Sequence, residues 1–465
     1  MRIFGHHVPR KVLLLAGLEG VIIYACLALA LIIQAGGEMG GGMAGAELLA
    51  TALVALLGLS LLGLYEPDQL VAVQSWHLVV LRIVLGLFLA LCLVLLYSLV
   101  APATSLHNGV LSGGLALASL SLVAERTFYR SMAANEAFKH RLLVIGTGSR
   151  AAAVEHVHPD KRPEELPYKV IAYVAPPREQ HTDVPTNRVL QLQEHETLLD
   201  LVRRHNANEL VVAVRDRRGK LPIRDLLDCK LHGVPITDVS TFFERERQQL
   251  RLDSLNTSWL VFGSGFRQDR FRNVVKRCFD LAASSVLLLL TLPVMLVTAL
   301  AIRLDSPGPV FYRQVRMGRG NEPFEIYKFR SMRQDAEQDG VARWAQGDDD
   351  RITRVGRIIR KLRIDELPQV INVFKGEMSF VGPRPERPFF VDQLSEQIPY
   401  FTARHSIRPG ITGWAQVRYA YGASVQDAKE KLQYDLYYVK NHTLFLDIVI
   451  LLETVKVVLF GRGAR

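Results

Sequence analysis

The chain has 465 residues, a formal net charge of +10 and a hydrophobic fraction of 49%. That length leaves room for about two to four domains of ~100–200 residues each. Much of the positive charge flanks apolar runs, which turns the reading away from nucleic acid and toward anionic lipid or a phosphorylated substrate. The four cysteines, Cys26, Cys92, Cys229 and Cys278, form no CxxC pair, which argues against a disulfide framework or a zinc site and fits a reducing compartment.

Apolar runs at 12–33, 46–64, 78–100 and 109–124 each approach the ~20 residues that cross a bilayer, and they predict a four-helix transmembrane bundle over residues 1–125. The last run is short and rich in Gly and Ser. Arg2, Arg10 and Lys11 precede the first run, and Arg126, Arg130, Lys139 and Arg141 follow the fourth. The loops at 36–45 and 102–108 carry no Lys or Arg, so the positive-inside rule puts both ends of the bundle in the cytoplasm. Arg82, near a helix end, is expected to snorkel.

From 126 to 262 the pattern changes to alternating strands and helices. Arg141-Leu142-Leu143-Val144-Ile145 reads as a buried strand, with further strands at 169–174 and 209–214 and helices at 197–205 and 223–232. Such alternation predicts a parallel, Rossmann-like sheet. The turn Gly146-Thr147-Gly148 could receive a pyrophosphate. The second strand, however, ends in Ala175-Pro176-Pro177, where a dinucleotide domain offers an acid to the ribose. A regulatory or structural domain is the leading reading.

Phe271-Arg272-Asn273-Val274-Val275-Lys276-Arg277 then leads into an apolar run that ends before Arg303. Pro293 lies mid-run, where it removes a helix hydrogen bond and bends the helix. Basic residues flank both ends. These features predict a re-entrant helix over about 273–303 that dips into the membrane and leaves by the same face. The alternative is a kinked spanning helix, which would place the following chain outside.

Beyond it, Phe324-Glu325-Ile326-Tyr327-Lys328-Phe329-Arg330 alternates as a half-buried strand, with Lys328 and Arg330 on one side. Asp348-Asp349-Asp350 suits a helix N-terminus. The helix expected after it has Ile352, Val355, Ile358, Ile359 and Leu362 on one face and Arg351, Arg354, Arg357, Arg360 and Lys361 largely on the other, a pattern that also fits a helix lying on an anionic membrane. It ends at the adjacent acids Asp365 and Glu366. Adjacent acids are common on solvated helices, but these precede two loops that each fix an arginine: Gly382-Pro383-Arg384-Pro385 and Arg408-Pro409-Gly410. A carboxylate pair facing such cations suits phosphoryl chemistry. One acid attacks phosphorus and the other holds a divalent cation. The stretch 444–460 is apolar but holds Asp447, Glu453 and Lys456, and reads as an interfacial or packing helix rather than a fifth span.

From about 271 to 460 the chain resembles the bacterial polyprenyl-phosphate hexose-1-phosphate transferases, the monotopic phosphoglycosyl transferases. The resemblance rests on Lys276-Arg277-Cys278-Phe279-Asp280, Tyr327-Lys328-Phe329-Arg330-Ser331-Met332, Asp365-Glu366-Leu367-Pro368-Gln369, the run Asn372 through Pro385, Arg408-Pro409-Gly410-Ile411-Thr412-Gly413-Trp414-Ala415-Gln416 and Tyr437-Tyr438-Val439-Lys440-Asn441. The layout resembles the large members that begin exopolysaccharide or O-antigen repeat units, and the first residues resemble the PEP-CTERM/exosortase-associated branch.

The resemblance implies membrane α plus α/β architecture with a monotopic α+β transferase domain at 263–465. It implies transfer from a UDP-sugar to undecaprenyl phosphate by a ping-pong route, with Asp365 as nucleophile and Glu366 as ligand of Mg²⁺. The implied substrate-binding residues are Lys328, Arg330, Arg360, Pro383, Arg384, Pro385, Arg408 and Gln416. Implied partners are the two substrates, membrane lipid and a second copy in a homodimer, with no nucleic acid. The implied location is the bacterial inner membrane, with the α/β and catalytic domains on its cytoplasmic side. One departure is Leu292, which stands before Pro293 where the family often has Ser. Two alternatives are a membrane-bound nucleotide-sugar dehydratase or epimerase and a non-enzymatic scaffold of polysaccharide machinery. The first needs a Tyr with Lys four residues later, and no Tyr here has one.

Overall fold

The computed structural model describes residues 2–3, 6–7, 10–34, 42–65, 76–100, 108–133, 139–158, 166–176, 182–192, 196–214, 221–252, 266, 270–334, 351–419, 422 and 424–460. The chain divides into two compact units, mainly His7–Arg247 and Gln248–Arg465.

The first unit opens with helices α1 (Arg10–Gln34), α2 (Gly42–Leu61), α3 (Trp76–Val100) and α4 (Asn108–Ala133). Ile23, Leu27, Ala55, Leu59, Ile83 and Leu122 belong to one buried apolar cluster that the four helices share. Gly58 and Gly86 let α2 and α3 touch backbone to backbone, since a Cβ on either would strike the other helix. Outward side chains such as Leu14, Val21, Ile33 and Leu120 are apolar and exposed, the surface a lipid solvent requires. Val12–Gln34 and Trp76–Ser98 are long and apolar enough to cross a membrane, whereas Gly45–Leu61 is apolar but shorter. Helix α4 is not among the long apolar helices and runs past the expected end at 124. Helix α2 already includes part of the expected loop at 36–45. Inside the helices, Arg126 Nε donates to Glu19 Oε1 at 2.6 Å, and the Tyr65 hydroxyl donates to the other Glu19 oxygen. Charges buried among apolar side chains persist only when matched in this way. Arg82 is half-buried on α3.

The α/β part holds strands β1 (His140–Ile145), β2 (Tyr168–Val174), β3 (Val189–Leu190), β4 (Glu209–Val212) and β5 (Ile236–Asp238). Their order is β3-β2-β1-β4-β5, all parallel. Leu142 through Ile145 are fully buried, because helices cover both faces of such a sheet. These helices are α5 (Ser149–Glu155), α6 (Leu198–Arg204), α7 (Ile223–Leu231) and α8 (Val239–Arg247). Thr197 and Asp200 form a capping box that fixes the start of α6. Gly146 has φ +126°, and a Cβ there would press on the Ala213 backbone. The glycine turn is therefore explained by close packing against β4.

In the second unit, Leu250 and Leu252 are buried with Trp414, Leu436 and Tyr437 in the main core. Helix α9 (Arg270–Asp305) is one 36-residue helix with Pro293 inside it, and it is long and apolar enough to cross a membrane. Thr291 Oγ donates to the Leu287 carbonyl at 2.7 Å, one turn back along the same helix. An antiparallel ribbon follows, β6 (Phe311–Met317) with β7 (Pro323–Phe329).

Helix α10 spans Arg354–Lys361. Thr353 caps it, and Asp305 from the end of α9 accepts the Val355 N–H. The start expected at Asp348-Asp349-Asp350 is thereby corrected: the cap is a hydroxyl several residues later, and the three acids lie outside the described residues. A 3₁₀ turn (Ile364–Gln369) leads to α11 (Val370–Lys375), β8 (Ser379–Val381), α12 (Pro388–Gln397), β9 (Gly410–Thr412), α13 (Trp414–Arg418), α14 (Val425–Asn441) and α15 (Leu444–Phe460). Strands β8 and β9 form a two-stranded parallel pair. Leu446, Ile450 and Asp447 of α15 are buried, as expected of a packing helix.

Candidate active site

Arg363 ends α10 in the left-handed region, with φ 58°. This turn redirects the chain so that Asp365 and Glu366 leave the basic helix on the tighter 3₁₀ turn. Glu366 points into a cage of cations. Its Oε1 accepts from Arg384 Nη2 at 2.7 Å and from Lys328 Nζ at 3.1 Å, and its Oε2 accepts from Arg384 Nη1 at 3.3 Å. Arg363 stands 3.9 Å away. The two Arg384 bonds are the bidentate fork that makes Arg–carboxylate pairs strong and directional. Burial alone would raise Glu366, but Arg384 and Lys328 outweigh it and hold its carboxyl well below the usual range. Asp365 is left with the opposite environment. Its Oδ1 is buried with no hydrogen-bond partner. Burial first, then the Glu366 charge, raise its pKa against the pull of Lys328, Arg384 and Arg360.

The cage is braced from behind. Asn372 accepts the Tyr327 N–H at 3.0 Å and donates to the Glu325 carbonyl at 2.6 Å, fixing β7 and so Lys328. Arg404 donates to the Arg384 carbonyl at 2.8 Å and pairs with buried Asp435 at 2.7 Å. Arg316 donates to the Pro385 carbonyl at 3.1 Å. Gly382 and Gly410 pack backbone on backbone, so a Cβ at either would clash. Gly410 donates its N–H to the Pro383 carbonyl at 2.9 Å.

The fold thus gathers Asp365, Glu366, Lys328 and Arg384, with Pro383 and Pro385 stiffening the Arg384 loop. The Arg360 charge reaches Asp365 without a direct contact. Arg330 is placed elsewhere: its head is buried at the end of α9, donating to Ser306 and Pro307 carbonyls. Gln416 on α13 donates to the Ile411 carbonyl of β9 at 3.2 Å. Arg408 is half-buried, and Arg277, Arg319 and Asp280 are the charges it feels. Sequence reasoning missed Arg363, Arg404, Asp435, Arg316 and Asn372. Arg363 and Asn372 lie within the stretches that carry the acids and the Arg384 loop; the other three lie outside them.

Residues 271–461 match the family model described as bacterial sugar transferase. A UDP-glucose:undecaprenyl-phosphate glucose-1-phosphate transferase of Caulobacter vibrioides is 46% identical over 182 residues, which is 39% of this chain and 68% of that protein. The chain belongs to the bacterial sugar transferase family. An Aeromonas hydrophila UDP-N-acetylgalactosamine-undecaprenyl-phosphate N-acetylgalactosaminephosphotransferase is 46% identical to this chain over 242 residues, 52% of this chain and 56% of the relative. An undecaprenyl-phosphate glucose phosphotransferase of Komagataeibacter xylinus is 46% identical over 194 residues, 41% of this chain and 36% of the relative. The chain therefore matches only about half, or less, of the length of these two relatives. The family match covers the caged acids and all of helix α9 but its first residue.

Proposed function

We propose that the chain transfers a hexose-1-phosphate from a UDP-sugar to undecaprenyl phosphate through Asp365. The observation that carries this reading is the division of labour in the acid pair: Glu366 is locked by Lys328 and Arg384, while Asp365 keeps an oxygen free of partners. An Asp365 oxygen attacks the phosphorus that bears the sugar. The new O–P bond forms as the bond to the bridging oxygen breaks, and that oxygen leaves with UMP. An undecaprenyl phosphate oxygen then attacks the same phosphorus, the bond to Asp365 breaks, and the diphosphate-linked sugar departs. Both steps carry charge on phosphate oxygens, which Lys328, Arg384 and Arg360 are placed to stabilise. Arg330 is assigned the end of α9 instead.

Mg²⁺ belongs to the same reading. Among the described residues no group of three metal-ligating side chains occurs. A magnesium ion, however, is commonly held by one or two carboxylates plus substrate phosphates. Glu366 and the unpartnered Asp365 oxygen offer that hard-oxygen set, and the ion would supply screening of the diphosphate.

Two features support a site at the membrane surface. Both ends of α9 are tied to the second unit: Arg277 donates to the Val373 and Phe374 carbonyls, and Ile302 packs with Phe329 and Ile359. The middle, including Val286, Leu289 and Leu290, is exposed and apolar. A re-entrant helix satisfies both facts. Next to it runs an apolar groove of about 440 Å³ lined by Pro293, Val297, Ala301, Ile358, Ile359 and Ile364. It ends at the neighbour of Asp365 and suits the isoprenoid chain of the acceptor. The reading also includes four membrane helices in residues 1–125, an α/β domain from 126 to about 247 rather than 262, a homodimer and a cytoplasmic face of the inner membrane.

UMP release in nanodiscs, with a panel of UDP-sugars and undecaprenyl phosphate, tests the reaction. Turnover dependent on Mg²⁺ and lost in Asp365→Asn is expected. Turnover that survives that change would remove the proposed nucleophile.

A further inference from the structure

Helix α9 carries one buried carboxylate that the reaction itself does not use, and it touches the strand that precedes the Arg384 loop. Asp280 is 1% exposed. Its Oδ1 accepts from the Phe380 N–H at 3.1 Å and lies 3.0 Å from Ser379 Oγ, which shares its one proton between Asp280 and the Val381 carbonyl at 2.9 Å; Lys276 Nζ is at 3.4 Å, and Oδ2 is buried without a partner. Phe380 is the middle residue of β8. The neighbouring N–H groups of Ser379 and Gly382 go to Pro409 and Thr412 on the β9 side. The Phe380 N–H faces the other edge, where no strand pairs with β8 among the described residues. The Asp280 carboxylate therefore stands in for the missing strand. This matters because β8 and β9 are three residues each, too short to be held by their own ladder.

The far end of β8 is gripped as well. The Tyr438 hydroxyl lies 3.0 Å from the Val381 carbonyl and donates to Asp447 at 2.6 Å. Lys276 bridges from Asp280 to Asp447, at 2.8 Å from the latter, so one lysine of α9 balances both buried acids. Directly after β8 come Gly382, Pro383 and Arg384. From Phe380 to Arg384 the chain has only four steps, and two of them are fixed: Gly382 by backbone packing and Pro383 by its ring.

We propose that Asp280 is a positioning residue, which aligns the Arg384 fork on Glu366 by clamping β8 to the membrane helix. The inference rests on the transferase reading given above. It makes turnover depend on how α9 is seated, because a shift of the helix is passed to β8 by a hydrogen-bonded carboxylate and on to the cation that holds Glu366.

The test uses the full chain in nanodiscs and compares Asp280→Ala, Asp280→Asn and Ser379→Ala in UMP release, with thermal stability measured alongside. Asp280→Ala is expected to lower kcat at least tenfold while the KM for the UDP-sugar moves less than threefold. Asp280→Asn keeps an oxygen that can accept from Phe380 and Ser379, and is expected to recover kcat to within threefold of the native chain. Ser379→Ala, which keeps the Phe380 bond, should fall between the two. If Asp280→Ala is not recovered folded, Ser379→Ala decides: a lowered kcat at constant KM supports the clamp, and a native kcat overturns it. A folded Asp280→Ala with native kcat, a loss wholly in KM, or an asparagine variant as poor as the alanine would each overturn the inference. Asp365→Asn is run beside them. Activity surviving there removes Asp365 as the nucleophile, and no UMP release from the native chain sinks the transferase reading, whereas native activity in Asp280→Ala sinks only the clamp.

Discussion

Glu209 in the α/β sheet and Glu366 in the second unit are both buried acids with several hydrogen-bonding partners, yet their neighbourhoods differ. Glu209 accepts from Arg245 at 2.9 Å, pairs with His140 at 3.0 Å and takes the Thr237 hydroxyl as well. Burial would raise its pKa, but its hydrogen bonds to His140 and Arg245 and the Arg245 charge outweigh that and bring it down to about 2. A second acid, Glu246, stands at the edge of that cage, but Arg245 Nε donates to it at 2.8 Å, so both acids there have a partner. Around Glu366 the same kind of cage is built beside Asp365, which receives none of the hydrogen bonds and is pushed the other way. A satisfied buried acid ties strands together. A satisfied acid next to an unsatisfied one leaves the second carboxylate without a partner, which is the arrangement the proposed reaction uses.

The sharpest way to break this comparison is to neutralise one acid in each unit. Asp365→Asn should reduce UMP release by on the order of 10³-fold or more without a drop in thermal stability, as expected when a nucleophile is lost. Glu209→Gln should do the reverse, lowering stability while leaving turnover at permissive temperature close to native. If both changes act on stability alone, the distinction between the cages is wrong. Next in size, Arg384→Ala should cost on the order of 10²-fold in kcat/KM, the scale of one lost charge-stabilising donor. A larger loss in Lys328→Ala than in Arg384→Ala would move the main holder of Glu366 from the loop to β7.

Two pH measurements sharpen the contrast further. Asp365 must be ionised to attack, and its pKa is raised, so kcat/KM should fall with acid through a limb above the ordinary aspartate value of 3.8. A limb at or below that value would contradict the burial argument. For Glu209 the sign is opposite. Its folded pKa lies near 2, below the model-peptide 4.5, so its contribution is present above pH 4.5 and is lost as pH falls toward 2. The shift corresponds to about 3 kcal/mol. Denaturant titrations of the native chain should show that component between those pH values, and Glu209→Gln should lack it.

Much of this was legible in the sequence, and the misses have physical reasons. The strands at 168–174 and 209–212 declare themselves because both faces of a parallel sheet are buried, which leaves runs of Val, Leu and Ile. Asp365, Glu366, Lys328 and Arg384 could be named because they sit in ordered motifs with fixed spacing. Arg330 was expected beside them since it follows Lys328 by two, as alternation requires. Its use at the end of α9 depends on where Ser306 and Pro307 return in space, which no local pattern encodes. Arg404 and Asp435 brace Arg384 across tens of residues of chain, so neither has a sequence signal. The start of α10 was placed too early because three aspartates look like a cap, while the hydrogen bond actually made comes from the quieter Thr353.

The segment at Gln248–Leu252 carries one more consequence. The Gln248 carbonyl accepts the Trp414 indole N–H at 2.9 Å, and the Leu250 N–H donates to the Gln433 carbonyl at 2.9 Å. These residues precede the region that the family match covers, yet they plug the middle of its core. A chimera that grafts this catalytic module onto a different anchor must therefore splice upstream of Gln248. A junction at 262 would discard a wedge of the module along with the tether, and the hybrid would fail for want of packing rather than chemistry.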